Sequence, residues 1–346
     1  MPVANKLRRR HFGFGGVVIR LRQSSVGQAH LFDMKLPAAA ILVLLLAVII
    51  AGCRAAPVPM RAVTAGSGSG SGPRVLAIET FLADIAQNVA GDRVKVEALI
   101  PIGVDPHSFE PAPSDVRKVA DSDVLIVNGA GLESFLGRLL QNTGGQRQII
   151  EASKGLSSRQ PSGAGAGSAN EVDPHFWLDP VLAITYVENI RDGLMQADPA
   201  GRETYARNAD SYIARLRDLD AWIADQVKQI PPERRILVTN HEEFGYFADR
   251  YGFKIVGAII PSITTGASPS ARELADLAGK IKASGAPAIF LEVAANPQLA
   301  DQLARETGVK VVTGLFTHSL TPPDGKAPDY IQMMRQNTTV IANALQ

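Results

Sequence analysis

The sequence predicts an α/β protein of two lobes, each with a mainly parallel sheet flanked by helices, joined by one long bracing helix. Two observations predict it. Short β-branched runs alternate with amphipathic segments from Arg74 onward and again from Arg235 onward, as expected where helices cross over between parallel strands. Between the two series lies one apolar stripe sustained for about thirty residues, far beyond an ordinary connection.

In the first series, strands are expected near Val75 to Ile78, Val94 to Ile100, Val124 to Asn128 and Gln148 to Glu151. Helices are expected near Phe81 to Ala90, Ser114 to Ala120 and Leu132 to Gln141. In the second, strands fall near Ile236 to Thr239, Lys254 to Ile260, Ala288 to Glu292 and Val309 to Thr313, with helices near Glu243 to Tyr251, Ser270 to Ala283, Gln298 to Glu306 and Asp329 to Leu345. The connecting stripe, Tyr205, Tyr212, Leu216, Leu219, Ile223, Val227 and Ile230, keeps to one helical face. Asp198 is read as its N-cap, Pro199 as its first position and Pro231-Pro232 as its stop, giving a rod of roughly 45 Å. The implied organisation is a leader (1–53), a tether (54–73), a first lobe (74–197), the linking helix (198–232) and a second lobe (233–346).

The leader explains a charge asymmetry. Residues 1–53 hold seven Lys/Arg and one Asp, leaving 28 basic against 33 acidic residues in the remainder. A net acidic body does not attract polyanions, so nucleic acid is not an expected partner. Met34-Lys35, the apolar run "LPAAAILVLLLAVII" and Ala51-Gly52-Cys53 have the charged, apolar and small-residue zones of an export signal, with an apolar stretch short of the ~20 residues a spanning helix needs. Residues 1–33 precede a complete signal, leaving Met34 as a second possible start. Behind Cys53, "GSGSGSG" reads as a flexible tether, and the small, polar residues 155–171 read as a surface loop. Cys53 is the sole cysteine, so with that thiol removed from play any metal site must use nitrogen and oxygen.

Four histidines lie in the body of the chain: His107, His175, His241 and His318. Their spacings of 68, 66 and 77 residues match no local metal motif, yet two of them close the same tetrapeptide, Val104-Asp105-Pro106-His107 and Val172-Asp173-Pro174-His175. Proline fixes its own φ and biases the preceding residue toward an extended backbone, so each imidazole is carried on a stiff turn. Asp105 and Asp173 are placed to hold loops or the far nitrogen of an imidazole, as metal-binding histidines require. Asn240 and Glu292, at strand ends, are candidates for the same supporting role. Phe176 and Trp177 would exclude water beside His175.

The stretches "PIGVDPHSFEPAPSD", "VDPHFWLDP", "TNHEEFGYFADRYG" and "LFTHSLTPPDGKAPDYIQMMRQN" resemble, in order and neighbourhood, the metal-binding segments of the solute-binding lipoproteins of bacterial zinc and manganese ABC importers. The resemblance runs from about Arg74 to the C-terminus. It implies two α/β lobes joined by one long helix, a single divalent ion held between them, and delivery of that ion to an ABC permease driven by an ATPase subunit. It also implies that Ile50-Ala51-Gly52-Cys53 is a lipobox, with Cys53 acylated and the protein an extracytoplasmic monomer anchored to the cell membrane by lipid. Carried over, His107 and His175 fall on the two first-lobe ligands, and His241 on a position that is His in zinc-type members and Glu in manganese-type members. His318 falls where members commonly have Asp, so either its nitrogen or a water completes the shell.

Three or four imidazoles without a carboxylate favour Zn2+, with Mn2+ or Fe2+ as the alternatives. Binding is expected to weaken below about pH 6.5 as imidazoles protonate. A zinc hydrolase, with Glu242 or Glu243 as base, is the rival class, but "HEEFG" has Gly245 where a zincin helix places its second histidine, so no enzyme activity is expected. An adhesin on the same scaffold is a third reading.

Overall fold

Strands β1 (Val75–Ala77), β2 (Val96–Ala98), β3 (Val124–Val127) and β4 (Gln148–Glu151) form a parallel sheet in the order β2-β1-β3-β4. Val75 pairs with Val96 on one side and with Val124 on the other, and Val124 pairs with Gln148. The central strands β1 and β3 are buried along their whole length, which is why they read as continuous apolar runs, whereas the edge strand β4 is largely open. The computed structural model describes residues 72–159, 172–293 and 295–346. The expected export signal, Cys53, nearly all of the expected tether and most of the expected loop before His175 lie outside them.

The helices of the first lobe are α1 (Thr80–Ala90), α2 (Pro113–Asp121), α3 (Leu136–Thr143) and α4 (Leu182–Ala197). Pro113 opens α2, and the Asp115 carboxylate caps it by accepting from the Ala112 amide at 3.0 Å. Helix α3 begins four residues later than expected, because residues 132–135 are turned around Glu133, whose carboxylate accepts the amide protons of Asn128 and, at 3.1 Å, Gly129. Helix α4 is not anticipated by the sequence reading. Its buried positions Ala183, Tyr186, Val187, Ile190 and Leu194 do carry a helical period, diluted by β-branched residues and by Gly193, which packs directly on Ile150.

The long helix α5 spans Arg202–Lys228, 27 residues or about 40 Å. Its expected apolar face is buried throughout, Tyr205 to Ile230, against α1, α4 and the C-terminal helix α9 (Tyr330–Leu345). Asp198 is not its N-cap. A 3₁₀ turn over Pro199–Gly201 intervenes, and the Asp198 carboxylate is taken by Arg93 and by the Tyr205 hydroxyl at 2.7 Å. Each fully buried aliphatic side chain on this face contributes roughly 1.5–3 kcal/mol, which lets one rod tie both lobes into a single apolar core.

The second lobe has two parallel pairs, β5 (Ile236–Thr239) with β6 (Lys254–Ala258) and β7 (Ala288–Glu292) with β8 (Lys310–Leu315), and β5 lies beside β7. Helices α6 (Gly245–Tyr251), α7 (Ala271–Ser284) and α8 (Gln298–Thr307) flank them. Ser270 and Glu273 form a reciprocal capping box at α7, and Asp329 caps α9 through the Gln332 amide at 2.7 Å. Helix α6 starts at Gly245 rather than Glu243, leaving residues 241–244 as an irregular segment. The fold is thus the expected one: parallel sheets flanked by helices, with a long connecting helix.

Hydrogen bonds also stitch the lobes. Trp177 Nε1 donates to the Thr317 carbonyl at 2.7 Å, Leu320 N to Thr80 Oγ1 at 2.9 Å, and Tyr246 Oη to the Asp173 carbonyl at 2.8 Å. Among the described residues no helix is long and apolar enough to cross a membrane.

Candidate metal centre

His241 directly follows β5, His318 follows β8 and Glu292 closes β7, so the second lobe gathers its polar groups at the carboxyl ends of parallel strands. His107 sits in a 3₁₀ turn after β2, and its backbone amide donates to Asp105 Oδ1 at 2.9 Å. His175 repeats this device, donating its amide to Asp173 Oδ1 at 3.1 Å. Both proline turns therefore close onto their own aspartate, as the repeated tetrapeptide suggests.

The four imidazoles converge. All six ring-to-ring distances fall between 5.0 and 5.5 Å, and one donor nitrogen from each ring lies within 4.8 Å of the others. Near-equal edges describe a tetrahedron. An ion bound tetrahedrally through bonds of about 2.0 Å would set ring centres about 5.1 Å apart, so the cage has the dimensions of a four-nitrogen site. His175 and His241 are fully buried, His318 nearly so, and His107 alone is partly open, lining a cavity of about 300 Å³ with Ala130, Gly131, Val172, Pro174, Ile263 and Thr264. Trp177 packs on the cage, 5.2 Å from His175 and 5.8 Å from His318, and stacks on Phe81 behind.

Carboxylates hold the rings from the far side. Asp173 Oδ1 accepts from His175 Nδ1 at 2.8 Å, and Glu292 Oε2 from His318 Nδ1 at 2.9 Å. Glu292 Oε1 stands 3.2 Å from His241 Nδ1 and is fixed by Asn240 Nδ2 at 2.8 Å, while Thr317 Oγ1 fixes Oε2 at 2.8 Å. The expected supporting residues Asp105, Asp173, Asn240 and Glu292 thus all lie at the cage or one contact behind it. Asp105 reaches further than expected: its Oδ2 accepts from Thr265 across the cleft, and Gly103 N donates to Ser319 Oγ at 2.7 Å.

Carboxylates also pack behind the four imidazoles. Glu292 and Glu243 are both buried against it, with Glu243 Oε2 3.8 Å from His241 Nδ1. By sequence alone, Glu243 is only a candidate base. Its packing behind His241 depends on the irregular 241–244 segment, which has no sequence signature.

Burial dominates the electrostatics. It pushes His107 down to about 2, helped by His318 and His241, and holds His175 well below the ordinary imidazole value, so both rings are neutral with lone pairs available. Burial also drives Glu243 well above the usual carboxylate range, with the charge of Glu292 adding to it. At Glu292 burial works against ionisation, but the adjoining His241 and His318 outweigh it and keep that carboxyl well below its usual value. Both nitrogens of His241 and Nε2 of His318 are buried without a hydrogen-bond partner among the described residues. Lone pairs left in this way are available to a bound cation.

Comparison with known proteins identifies the family. The family model described as ZnuA, zinc-uptake complex component A periplasmic, matches residues 75–344. The chain belongs to that family. It is accordingly a metal-binding, substrate-binding component of an ABC importer, and its family is a transport component that works with a permease and an ATPase rather than an enzyme. It is 33% identical to the manganese-binding lipoprotein MntA of Halalkalibacterium halodurans over 312 residues, covering 90% of this chain and 99% of the relative. It is 33% identical to the iron-binding protein YfeA of Yersinia pestis over 270 residues, 78% of this chain and 85% of that one. Among solved structures, the periplasmic zinc-binding protein TroA of Treponema pallidum superposes with a TM-score of 0.72 at 27% identity, covering 80% of this chain and 99% of that one. A manganese-bound periplasmic metal-binding protein of Candidatus Liberibacter asiaticus gives 0.71 at 29%, covering 79% and 100%.

Proposed function

We propose that this family member carries zinc, bound between its lobes by His107, His175, His241 and His318. The observation that carries the reading is the near-regular tetrahedron of four imidazoles, with ring centres 5.0 to 5.5 Å apart. Zinc has no geometric demand of its own beyond four close ligands and accepts nitrogen readily, whereas manganese prefers oxygen and higher coordination. His318 completes the shell in place of water, because its ring stands as close to the other three as they stand to each other.

In this reading a first lobe (74–197) and a second lobe (233–346), joined by the linking segment 198–232 that contains α5, share the ion. Outside the described residues, acylation of Cys53 and the tether 54–73 would keep a monomer at the outer face of the membrane, within reach of its permease. More than one acyl chain is required for lasting retention.

A competition titration tests the ion. The purified protein is expected to take up one zinc per chain and to keep it against a hundredfold excess of manganese, and His318→Ala to lower zinc affinity. Displacement of zinc by manganese would overturn the assignment.

A further inference from the structure

The imidazoles of His241 and His318 have two faces. The four-imidazole cage uses one nitrogen of each. Behind them, His241, Glu243, Glu292 and His318 form a second group whose donor atoms also lie within 4.8 Å of one another, and all four residues are buried. The close approaches here are made by Nδ1: that of His241 lies 3.2 Å from Glu292 Oε1 and 3.8 Å from Glu243 Oε2, and that of His318 lies 2.9 Å from Glu292 Oε2.

Ring support alone does not account for this group. Support accounts for His318, whose Nδ1 is held by Glu292 with Asn240 and Thr317 bracing it, but leaves His241 and Glu243 unexplained. Glu243 is 1% exposed and neither of its oxygens has a hydrogen-bond partner among the described residues. His241 Nδ1, fully buried beside it, also has none, since Glu292 is near but not aligned to accept from it. An orphaned carboxylate facing an orphaned imidazole nitrogen inside a protein is a costly arrangement that a divalent cation would relieve.

We propose that His241 Nδ1, His318 Nδ1, Glu243 and Glu292 form a second metal site, of two nitrogens and two carboxylates, that takes the harder ions manganese or ferrous iron. Oxygen donors and a higher formal charge suit these ions better than four neutral imidazoles do. The two sites compete. A neutral imidazole offers one lone pair, so rings that turn Nδ1 to an ion behind them keep a proton on Nε2 and withdraw two ligands from the front cage. The second site also belongs wholly to the C-terminal lobe, so an ion held there needs nothing from His107 or His175. This site goes beyond the zinc reading and does not depend on it.

Two measurements with manganese as the probe decide the matter. Metal-free crystals soaked in manganese chloride should show an anomalous peak between the Glu243 and Glu292 carboxylates. A peak centred among the four imidazoles, or no peak, would overturn the proposal. In solution, Glu243→Gln should weaken manganese binding at least about tenfold more than it weakens zinc binding. Unchanged manganese affinity in a folded Glu243→Gln protein refutes it. If that variant does not fold, the crystal soak decides alone. Zinc uptake by the wild-type protein bears only on the front cage, so the two readings fail separately.

Discussion

Glu79→Gln should make the metal-free protein more stable, by an amount that grows with pH. Glu79 and Glu133 are 1% and 6% exposed. Neither Glu79 oxygen has a hydrogen-bond partner among the described residues. Burial, and then the charge of Glu133, drive Glu79 well above the usual carboxylate range. Burial raises Glu133 itself to about 7, against the pull of the backbone amides of Asn128 and Gly129. A carboxyl whose folded value is raised keeps its proton where the unfolded chain has lost it. Stability therefore falls as pH climbs from the unfolded value of 4.5 toward the folded one, by about 1.4 kcal/mol per unit for each such group. Glutamine removes this dependence at position 79. Wild type and variant should thus diverge by up to about 3 kcal/mol between pH 5 and 7, on the order of 5 °C in melting temperature for a domain of this size. Urea denaturation of both metal-free proteins at pH 5, 6 and 7 measures the divergence. Parallel stability profiles would refute the reasoning, whatever their offset.

Three further outcomes are expected. Glu292→Gln should cost 10- to 100-fold in zinc affinity by calorimetry, since Glu292 holds His318 Nδ1 at 2.9 Å and stands 3.2 Å from His241 Nδ1. With His107 held down at about 2 and His175 well below 6.5, the unfolded chain takes up protons before the folded one does as pH falls. Stability of the metal-free protein should then decline below pH 6.5, and the acid midpoint of zinc release should lie below that value, lower than free imidazole chemistry suggests; a midpoint at or above 6.5 in a pH-jump release assay contradicts this. Gly193→Ala would set a methyl 2.3 Å from Ile150 Cδ1 and should destabilise the fold by about 1–3 kcal/mol, read from denaturation midpoints.

The sequence carries the lobes, the linking helix and the four histidines because each leaves a local trace. Val-Asp-Pro-His writes its own turn, and the stripe from Tyr205 to Ile230 writes its own helix face. Glu292 is legible as a strand end beside the cleft. What is missed depends on tertiary packing. Helix α4 hides behind β-branched residues whose burial against the sheet overrides their weak helix preference. Asp198 looks like a cap until Arg93, 105 positions earlier, claims its carboxylate. Glu243 follows His241 by two residues, and nothing in that spacing tells that the chain leaves regular structure there and turns an acid toward the back of the ring.

Trp177 gives the protein an optical gauge of its own. Of its two tryptophans, Trp222 lies on α5 under the Arg335 guanidinium, away from the cage. Trp177 instead packs tilted against His175 and edge-to-face against His318, with its indole proton on Thr317 and its carbonyl receiving the Tyr330 hydroxyl. Cargo that tightens or loosens those rings must alter the surroundings of one indole and spare the other, so the emission of an unlabelled sample becomes a running record of loading.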